Sequence, residues 1–595
     1  MPAASGLSST LVELLRFRSL HQVDKRAFTF LAEGEREVSR ITYGELDRRA
    51  RALGAKLQQS CTKGERAILL YPPGREFIVS FLGCLYAGIV AIPAYLPRPN
   101  RSLSRLQAIL SDAQVSIALT TTSILSNIAL YFPHAPELAS LEWMATDAVD
   151  ENLADAWRDP KVSADTLAFL QYTSGSTASP KGVMVSHGNV LHNERTIQEA
   201  FQHTENTVLV SWLPLFHDMG LIGKMLQPLY LGASSVLMSP AAFLQRPISW
   251  LAAITRYRGN TAGGPNFGYD LCVQKITPEE RSGLDLSSWT VAFNGAEPIR
   301  RKTLEQFAKA FGPCGFRKEA FFPCYGLAEA TLFVSGGPRG RGPKTFTMAG
   351  ANLEQPPGKN DRGLLVGCGY SWMGHRIAIV DPDTCCLLPD DEVGEIWLSG
   401  PSVAQGYWNR PEETEHTFRA YLAGSREGPF LRTGDLGFLR DGELVVTGRI
   451  KDLIIIRGRN IYPQDIELTV ETCHPALRPG CGGAFCVETA DGERLVVVQE
   501  VNPRQRPDLD EVAGAIRQAV AEEHEVPVHD VVLIKPGAFP KTSSGKLQRR
   551  ACKDDYLAGS LSGVLLWRGK PGTGLEVKSL DSGSEPTAVV FSKAT

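Results

Sequence analysis

A chain of 595 residues is longer than one hydrophobic core usually supports, so at least two domains are expected. Its 43% hydrophobic and 21% charged residues are ordinary for a globular protein, and 62 basic against 65 acidic residues leave a formal net charge of -3. That balance gives no electrostatic case for nucleic acid or an anionic membrane as main partner, so phosphate would be handled by a local site.

The first residues, "MPAASGLSSTLVELLRFRS", lack a basic segment followed by a long apolar run, and no signal peptide is expected. "ERAILLYPP" reads as a strand and is followed by "GREFIVSFLGCLYAG". The most apolar stretch, Ile78 to Tyr95, is divided by Gly83, Gly88 and Pro93. A membrane span takes about 20 apolar residues, so a buried helix running into a buried strand explains it better. "VSIALTT" before "SILSNIALYF" repeats the alternation of strand and helix, which argues for parallel sheets and an α/β fold.

"TLAFLQYTSGST" runs a strand into a Gly and Ser loop, and "VMVSHGNVLHNERTIQEAF" then begins a helix. Further on, seven glycines and four prolines in residues 336–363 break the periodic pattern, as a functional or disordered loop would. From Val445 two strand-like runs and a helix start signal a separate C-terminal domain, with a hinge near Lys451. The expected division is residues 1–450, 451–556 and a partly disordered tail, 557–595. The twelve cysteines show no C-x-x-C spacing and no zinc pattern, so they read as reduced thiols of a cytosolic protein.

"YTSGSTASPKG", Tyr172 to Gly182, carries five serine or threonine hydroxyls, two glycines and a lysine. Backbone N–H groups around Gly175 and the hydroxyls of Thr173, Ser174, Ser176 and Thr177 could surround an anion, with Lys181 as a compact positive charge. The spacing is not that of a P-loop, and taken alone the stretch could equally be an exposed turn. "PKTSSGK", Pro540 to Lys546, is a second segment of this kind.

Between and after them lie "SWLPLFHDMGLIG" (211–223), "FNGAEPI" (293–299), "CYGLAEAT" (324–331), "LRTGDLG" (431–437) and "GRIKDLIIIRGRNIYPQDIE" (448–467). This ordered series, from about Tyr43 to Arg550, resembles the adenylate-forming superfamily of acyl-CoA synthetases, adenylation domains and luciferases. The histidine motif, "YGLAEATLFVSGG" and the long 336–363 segment are most similar to fatty acyl-AMP ligases. In that family an insertion at this place is thought to disfavour coenzyme A.

The resemblance implies a large N-terminal domain of stacked α/β sheets with a β-barrel-like subdomain, and a small, mobile α+β C-terminal lid turning about Lys451. It implies that a fatty acid carboxylate attacks the α-phosphorus of ATP, and that the acyl group then passes to the phosphopantetheine thiol of an acyl carrier protein or of a polyketide or peptide synthase. Lys546 matches the family's catalytic lysine, and His217 lies beside the acyl carboxylate as a positioning residue. Glu329 matches the glutamate that binds Mg2+, with Thr177 as a hydroxyl contact. Tyr325 and Gly326, with Gly295, Ala296, Glu297 and Pro298, would frame the adenine, while Asp435 and Arg449 would hold the ribose. Lys181 and the loop before it would hold the β- and γ-phosphates. The acyl tunnel is expected around residues 263–272 and 221–232. Ala328 and Ala178 depart from the threonine and glycine common among relatives, and Ala328 fits the acyl-AMP ligase subgroup. A cytoplasmic monomer with no membrane span is expected. Two other readings stay open, a long-chain acyl-CoA ligase and an inactive acyl-binding scaffold.

Overall fold

The structure, a computed structural model, describes residues 8–97, 103–128, 136–173, 180–347, 364–456, 459–489, 492–505, 507–542 and 546–568. The chain divides into two compact units, Met1–Lys451 and Asp452–Thr595.

The first unit is built on two large sheets. One has six strands in the order Glu142–Ala145, Ile117–Thr120, Arg66–Leu70, Val90–Ala94, Leu167–Thr173 and Lys181–Ser186. All neighbours are parallel except the last pair, which is antiparallel. The other sheet has nine strands, with a parallel centre formed by Phe321–Gly326, Val291–Asn294, Thr261–Gly264, Val208–Ser211, Ser234–Met238 and Arg26–Ala32. Parallel strands covered on both faces need apolar residues throughout, and Val90–Ala94 is buried at every position. The apolar run at Ile78–Tyr95 is thus a core element. Helix Arg75–Ala87 buries every residue from Phe77 onward, and Gly88, at φ 74, ends it before the strand. Among the described residues no helix is long and apolar enough to cross a membrane. Trp250, Trp289, Phe307 and Phe316 pack edge to face beside the nine-stranded sheet, with ring centroids 5.0 to 5.9 Å apart.

A four-stranded antiparallel sheet, Arg376–Val380, Gly394–Ser399, Leu431–Arg440 and Glu443–Arg449, completes the unit. Among the described residues these strands lie in a row and do not close into a barrel. The segment expected as a structureless loop from residue 336 is more ordered at its start. Arg339 donates to the Phe201 and Gln202 carbonyls and to Thr290 Oγ1, and Thr345–Thr347 pairs with Leu364–Val366. Residues 348–363 lie outside the described residues.

The second unit has a four-stranded sheet, Leu477–Thr489, Gly492–Val501, Val528–Ile534 and Val564–Arg568, carrying helices Pro463–Cys473, Leu509–His524 and Arg549–Leu557. The last strand falls in the stretch expected as tail. Its apolar residues pair antiparallel with Val528–Ile534, so the folded unit extends beyond Tyr556. Residues 569–595 lie outside the described residues. Buried Glu467 takes both arms of Arg549, at 2.5 and 2.7 Å, and the Ala484 N–H at 3.1 Å, which fixes the helix that follows Lys546.

Candidate active site

In the first unit, strand Leu167–Thr173 turns back on Lys181–Ser186 with Thr173 opposite Lys181. The helix expected within "VMVSHGNV" begins only at His187, where Ser186 and Asn189 form a capping box. Ser174, Gly175, Ser176 and Thr177 lie outside the described residues. Thr173 is tied by its carbonyl to Arg105, at 2.8 Å. Lys181 is ion-paired with Glu413, and its Nζ stands 5.0 Å from the centre of the Tyr407 ring. Burial opposes ionisation of Glu413, but Lys181 and Arg410 prevail and hold its carboxyl below the ordinary range. Arg410 reaches on to Asp112, 3.2 Å away, which also accepts from Tyr172 at 2.7 Å.

Tyr407 joins this cation to the next acid. Its hydroxyl donates to Glu329 Oε1 at 2.8 Å. Residues 405–408 are held against Lys181–Ser186 by backbone bonds, Met184 to Gly406 and Trp408 to Gly182 among them. Loss of hydration raises the Glu329 carboxyl, and the Tyr407 hydrogen bond opposes that rise. Glu329 is the middle residue of the short turn Ala328–Ala330, closed by Thr331, whose φ of 68 is uncommon for a threonine and whose hydroxyl donates to the Ser402 carbonyl at 2.6 Å. Tyr407 and Glu413 were not foreseen. They sit in "QGYWNRPEET", more than two hundred residues from Lys181, and only sheet pairing brings them back.

Tyr325 leaves strand Phe321–Gly326 and donates its hydroxyl to Asp435 Oδ2 at 2.7 Å. Asp435 Oδ1 accepts from Arg449 Nε at 2.9 Å, because Asp435 and Arg449 face each other on neighbouring strands. The Asp435 side chain is 8% exposed and that of Arg449 58%. Burial, then Asp435, pushes the Tyr325 phenol well above its ordinary value, so it stays a donor. Gly326 is pressed against the Leu332 carbonyl, where a Cβ would come within 1.8 Å.

Gly295 to Pro298 follow strand Val291–Asn294 directly. Gly295 lies against the Cys324 carbonyl, and Ala296 takes a φ of 74. The Glu297 carboxylate is spent on a helix end: it accepts from the Asn266 N–H at 2.8 Å, while Asn266 donates to the Pro298 carbonyl at 2.9 Å. The backbone of this segment is what it offers to a ligand. His217, half-buried, precedes the turn Asp218–Gly220, and its carbonyl accepts from Leu221 at 2.7 Å. Gly220 permits that turn, since a Cβ there would lie 2.1 Å from the Pro214 carbonyl oxygen.

Lys451 is the last residue of the first unit. In the second unit, Lys546 lies beside the isolated antiparallel bridge between Lys541 and Leu547. Its N–H donates to Thr542 Oγ1 at 3.0 Å, and its carbonyl accepts from the Thr542 N–H at 2.8 Å. Among the described residues there is no group of three or more His, Cys, Asp or Glu side chains that could hold a metal ion by themselves. A hard divalent ion that shares its shell with phosphate and water needs only one or two carboxylates, and Glu329 could supply one.

Residues 16–408 match the AMP-binding enzyme family, and residues 451–564 match the Disco-interacting protein 2-like AMP domain. The chain belongs to the AMP-binding enzymes. Within them it is similar to the medium-chain-fatty-acid–[acyl-carrier-protein] ligase JamA of Moorena producens, at 50% identity over 93% of this chain and 96% of that one. It is 38% identical to the long-chain-fatty-acid–AMP ligase FadD32 of Mycolicibacterium smegmatis, over 90% of this chain and 92% of the relative. The structure of the fatty acyl-adenylate ligase of L. pneumophila, solved with acyl adenylate and pyrophosphate, superposes with a TM-score of 0.72 at 42% identity, covering 95% of this chain and 98% of that chain. This AMP-binding enzyme is therefore a member of the fatty acyl-AMP ligase group, and such enzymes use ATP.

Proposed function

We propose that this enzyme activates a fatty acid as its acyl adenylate and passes the acyl group to the phosphopantetheine thiol of a carrier protein. Near-full-length similarity to an acyl-carrier-protein ligase at 50% identity carries this reading. In the first half reaction a carboxylate oxygen bonds to the α-phosphorus of ATP while the bond to the β-phosphate breaks, and pyrophosphate leaves. Both reactants are anions, so cations placed where charge develops are what the site must supply.

Tyr325, with the backbone of Gly295 to Pro298 and Gly326, frames the adenine. Asp435 keeps a second lone pair on each oxygen for the ribose hydroxyls, since each already accepts one hydrogen bond. Arg449 adds donors beside it. Lys181, with Thr173 and the loop after it, balances the departing pyrophosphate, and Lys546 balances the carboxylate and α-phosphate. His217 positions the acyl carboxylate. Glu329, with Thr177, would hold Mg2+, which when bound neutralises the phosphate oxygens. In the second half reaction the thiol attacks the acyl carbonyl and AMP leaves, after rotation about Lys451 has withdrawn Lys546. The same reading takes the enzyme as a monomer. Twelve free cysteines support a reducing compartment such as the cytoplasm.

The test is to form the acyl adenylate from ATP and a medium-chain fatty acid, then offer coenzyme A or a phosphopantetheinylated carrier protein in parallel. Acyl transfer to the carrier protein is expected. Efficient formation of acyl-CoA instead would favour the acyl-CoA ligase reading.

A further inference from the structure

The carboxylate that meets Lys181 has no part in the roles given so far. Glu413 lies in the first turn of helix Pro411–Phe418, which the bridge between Val183 and Tyr407 brings alongside the strand that Lys181 begins. Its Oε2 is ion-paired with Lys181 Nζ, and its Oε1 takes Arg410 Nη1 at 3.2 Å. Arg410 Nη2 continues to Asp112 Oδ1 at 3.2 Å, and Asp112 Oδ2 accepts from the Tyr172 hydroxyl at 2.7 Å. The Lys181 side chain is 20% exposed and that of Glu413 39%, so water and dissolved anions can reach both.

A lysine that is to bind phosphate must first release the anion it already holds. Glu413 and a phosphate group therefore compete for one ammonium. The surrounding charges are arranged so that the exchange leaves Glu413 matched. When Lys181 turns away, Glu413 still has Arg410, and its place in the first turn of a helix also favours its negative charge. A carboxylate with no second cation would be costly to abandon in a partly buried place, whereas this one is already braced. The residue types suit the two jobs: the planar fork of Arg410 spans Glu413 and Asp112 together, while the compact ammonium of Lys181 sits on a flexible stem.

The exchange needs no movement of the backbone. Lys181 is held in the sheet opposite Thr173, so only its side chain has to turn. Tyr407 keeps the surroundings fixed. Its N–H donates to Oγ1 of Thr414, the neighbour of Glu413, at 2.9 Å, and its hydroxyl donates to Glu329 at 2.8 Å. Its ring, 5.0 Å from Lys181 Nζ, attracts the ammonium without neutralising it. The negative charge that Lys181 meets here thus comes from Glu413.

We propose that Glu413 is the counter-ion that pyrophosphate displaces from Lys181, and that its return to Lys181 as pyrophosphate leaves sets how weakly the enzyme holds this product. Glu413 is in this sense a positioning residue, acting on the reaction through Lys181. This rests on the reading of Lys181 as the lysine that balances the departing pyrophosphate.

The test is isothermal titration of pyrophosphate, in magnesium buffer, into the full chain. Glu413→Gln removes the charge and keeps the shape, and it should bind pyrophosphate about two- to fivefold more tightly than wild type, the scale of a partly exposed ion pair. A glutamate that merely holds Lys181 in place for phosphate predicts the opposite sign, so equal or weaker binding by Glu413→Gln overturns the proposal. Glu413→Ala gives a second reading of the same sign should Glu413→Gln not fold. Removing any negative charge near an anion site could also tighten binding, and a double-mutant cycle separates that effect. In a Lys181→Met background Glu413→Gln should no longer tighten binding, and the same gain there as in wild type overturns displacement from Lys181. Wild-type affinity for pyrophosphate in Lys181→Met alone would instead refute the role of Lys181, and the proposal with it.

Discussion

Replacing Asp435 by Asn tests whether the Tyr325–Asp435–Arg449 triplet holds the nucleoside. The carboxylate accepts from Tyr325 at 2.7 Å on one oxygen and from Arg449 at 2.9 Å on the other. An Asn amide keeps one acceptor and presents N–H groups to the second donor, so one of the two bonds is lost. The Arg449 side chain is 58% exposed, and solvent discounts that half of the loss. The ribose hydroxyls set the magnitude, because the amide no longer offers both of them a charged acceptor: a hydrogen bond to a charged group contributes about 1.5–3 kcal/mol. AMP binding should therefore weaken by about 10- to 150-fold. Isothermal titration of AMP into the full chain reads this directly, with circular dichroism to confirm the fold. A properly folded Asp435→Asn protein that binds AMP within about threefold of wild type would refute the role given to the triplet.

Three further outcomes are expected. Lys546→Ala should lower pyrophosphate exchange by at least about a hundredfold, the scale of losing one preorganised charge, while AMP titration stays near wild type. Gly220→Ala should cost about 1–3 kcal/mol in denaturant unfolding, because the new Cβ meets the Pro214 carbonyl oxygen at 2.1 Å, and by shifting His217 it should lower kcat/KM for the fatty acid. Buried His187 accepts from the Leu11 N–H at 3.3 Å, and burial lowers it from 6.5 to about 4. The unfolded chain gains that proton near pH 6.5 and the folded one does not, so stability is lost as pH falls from 6.5 toward 4, by up to about 3 kcal/mol. Guanidinium unfolding across that range should show a shallower pH slope in His187→Asn, and equal slopes would remove His187 from the account. His203, also lowered by burial, acts in the same direction.

Local patterns carried much of what the chain disclosed. Short apolar runs between turn residues announced parallel strands buried on both faces, and the Ile78–Tyr95 run announced a core helix and strand, because side-chain periodicity and glycine placement are local properties. The order of short motifs disclosed the family, since residues that touch phosphate, adenine and ribose keep their spacing within each loop. Other features depended on distant parts of the chain meeting. Tyr407 and Glu413 reach Lys181 only because Val183 pairs with Tyr407 across the fold, and Glu297 turns to a helix end because Asn266 happens to be packed beside it. The strand Val564–Arg568 is stable only against Val528–Ile534, so nothing in its own Gly- and Ser-rich surroundings marked it. Buried Lys224 and Glu194 belong to this class as well. Thirty residues apart in sequence, they sit on a helix and a π-helical turn that pack against each other, and burial, which no local pattern encodes, is what makes their charges costly.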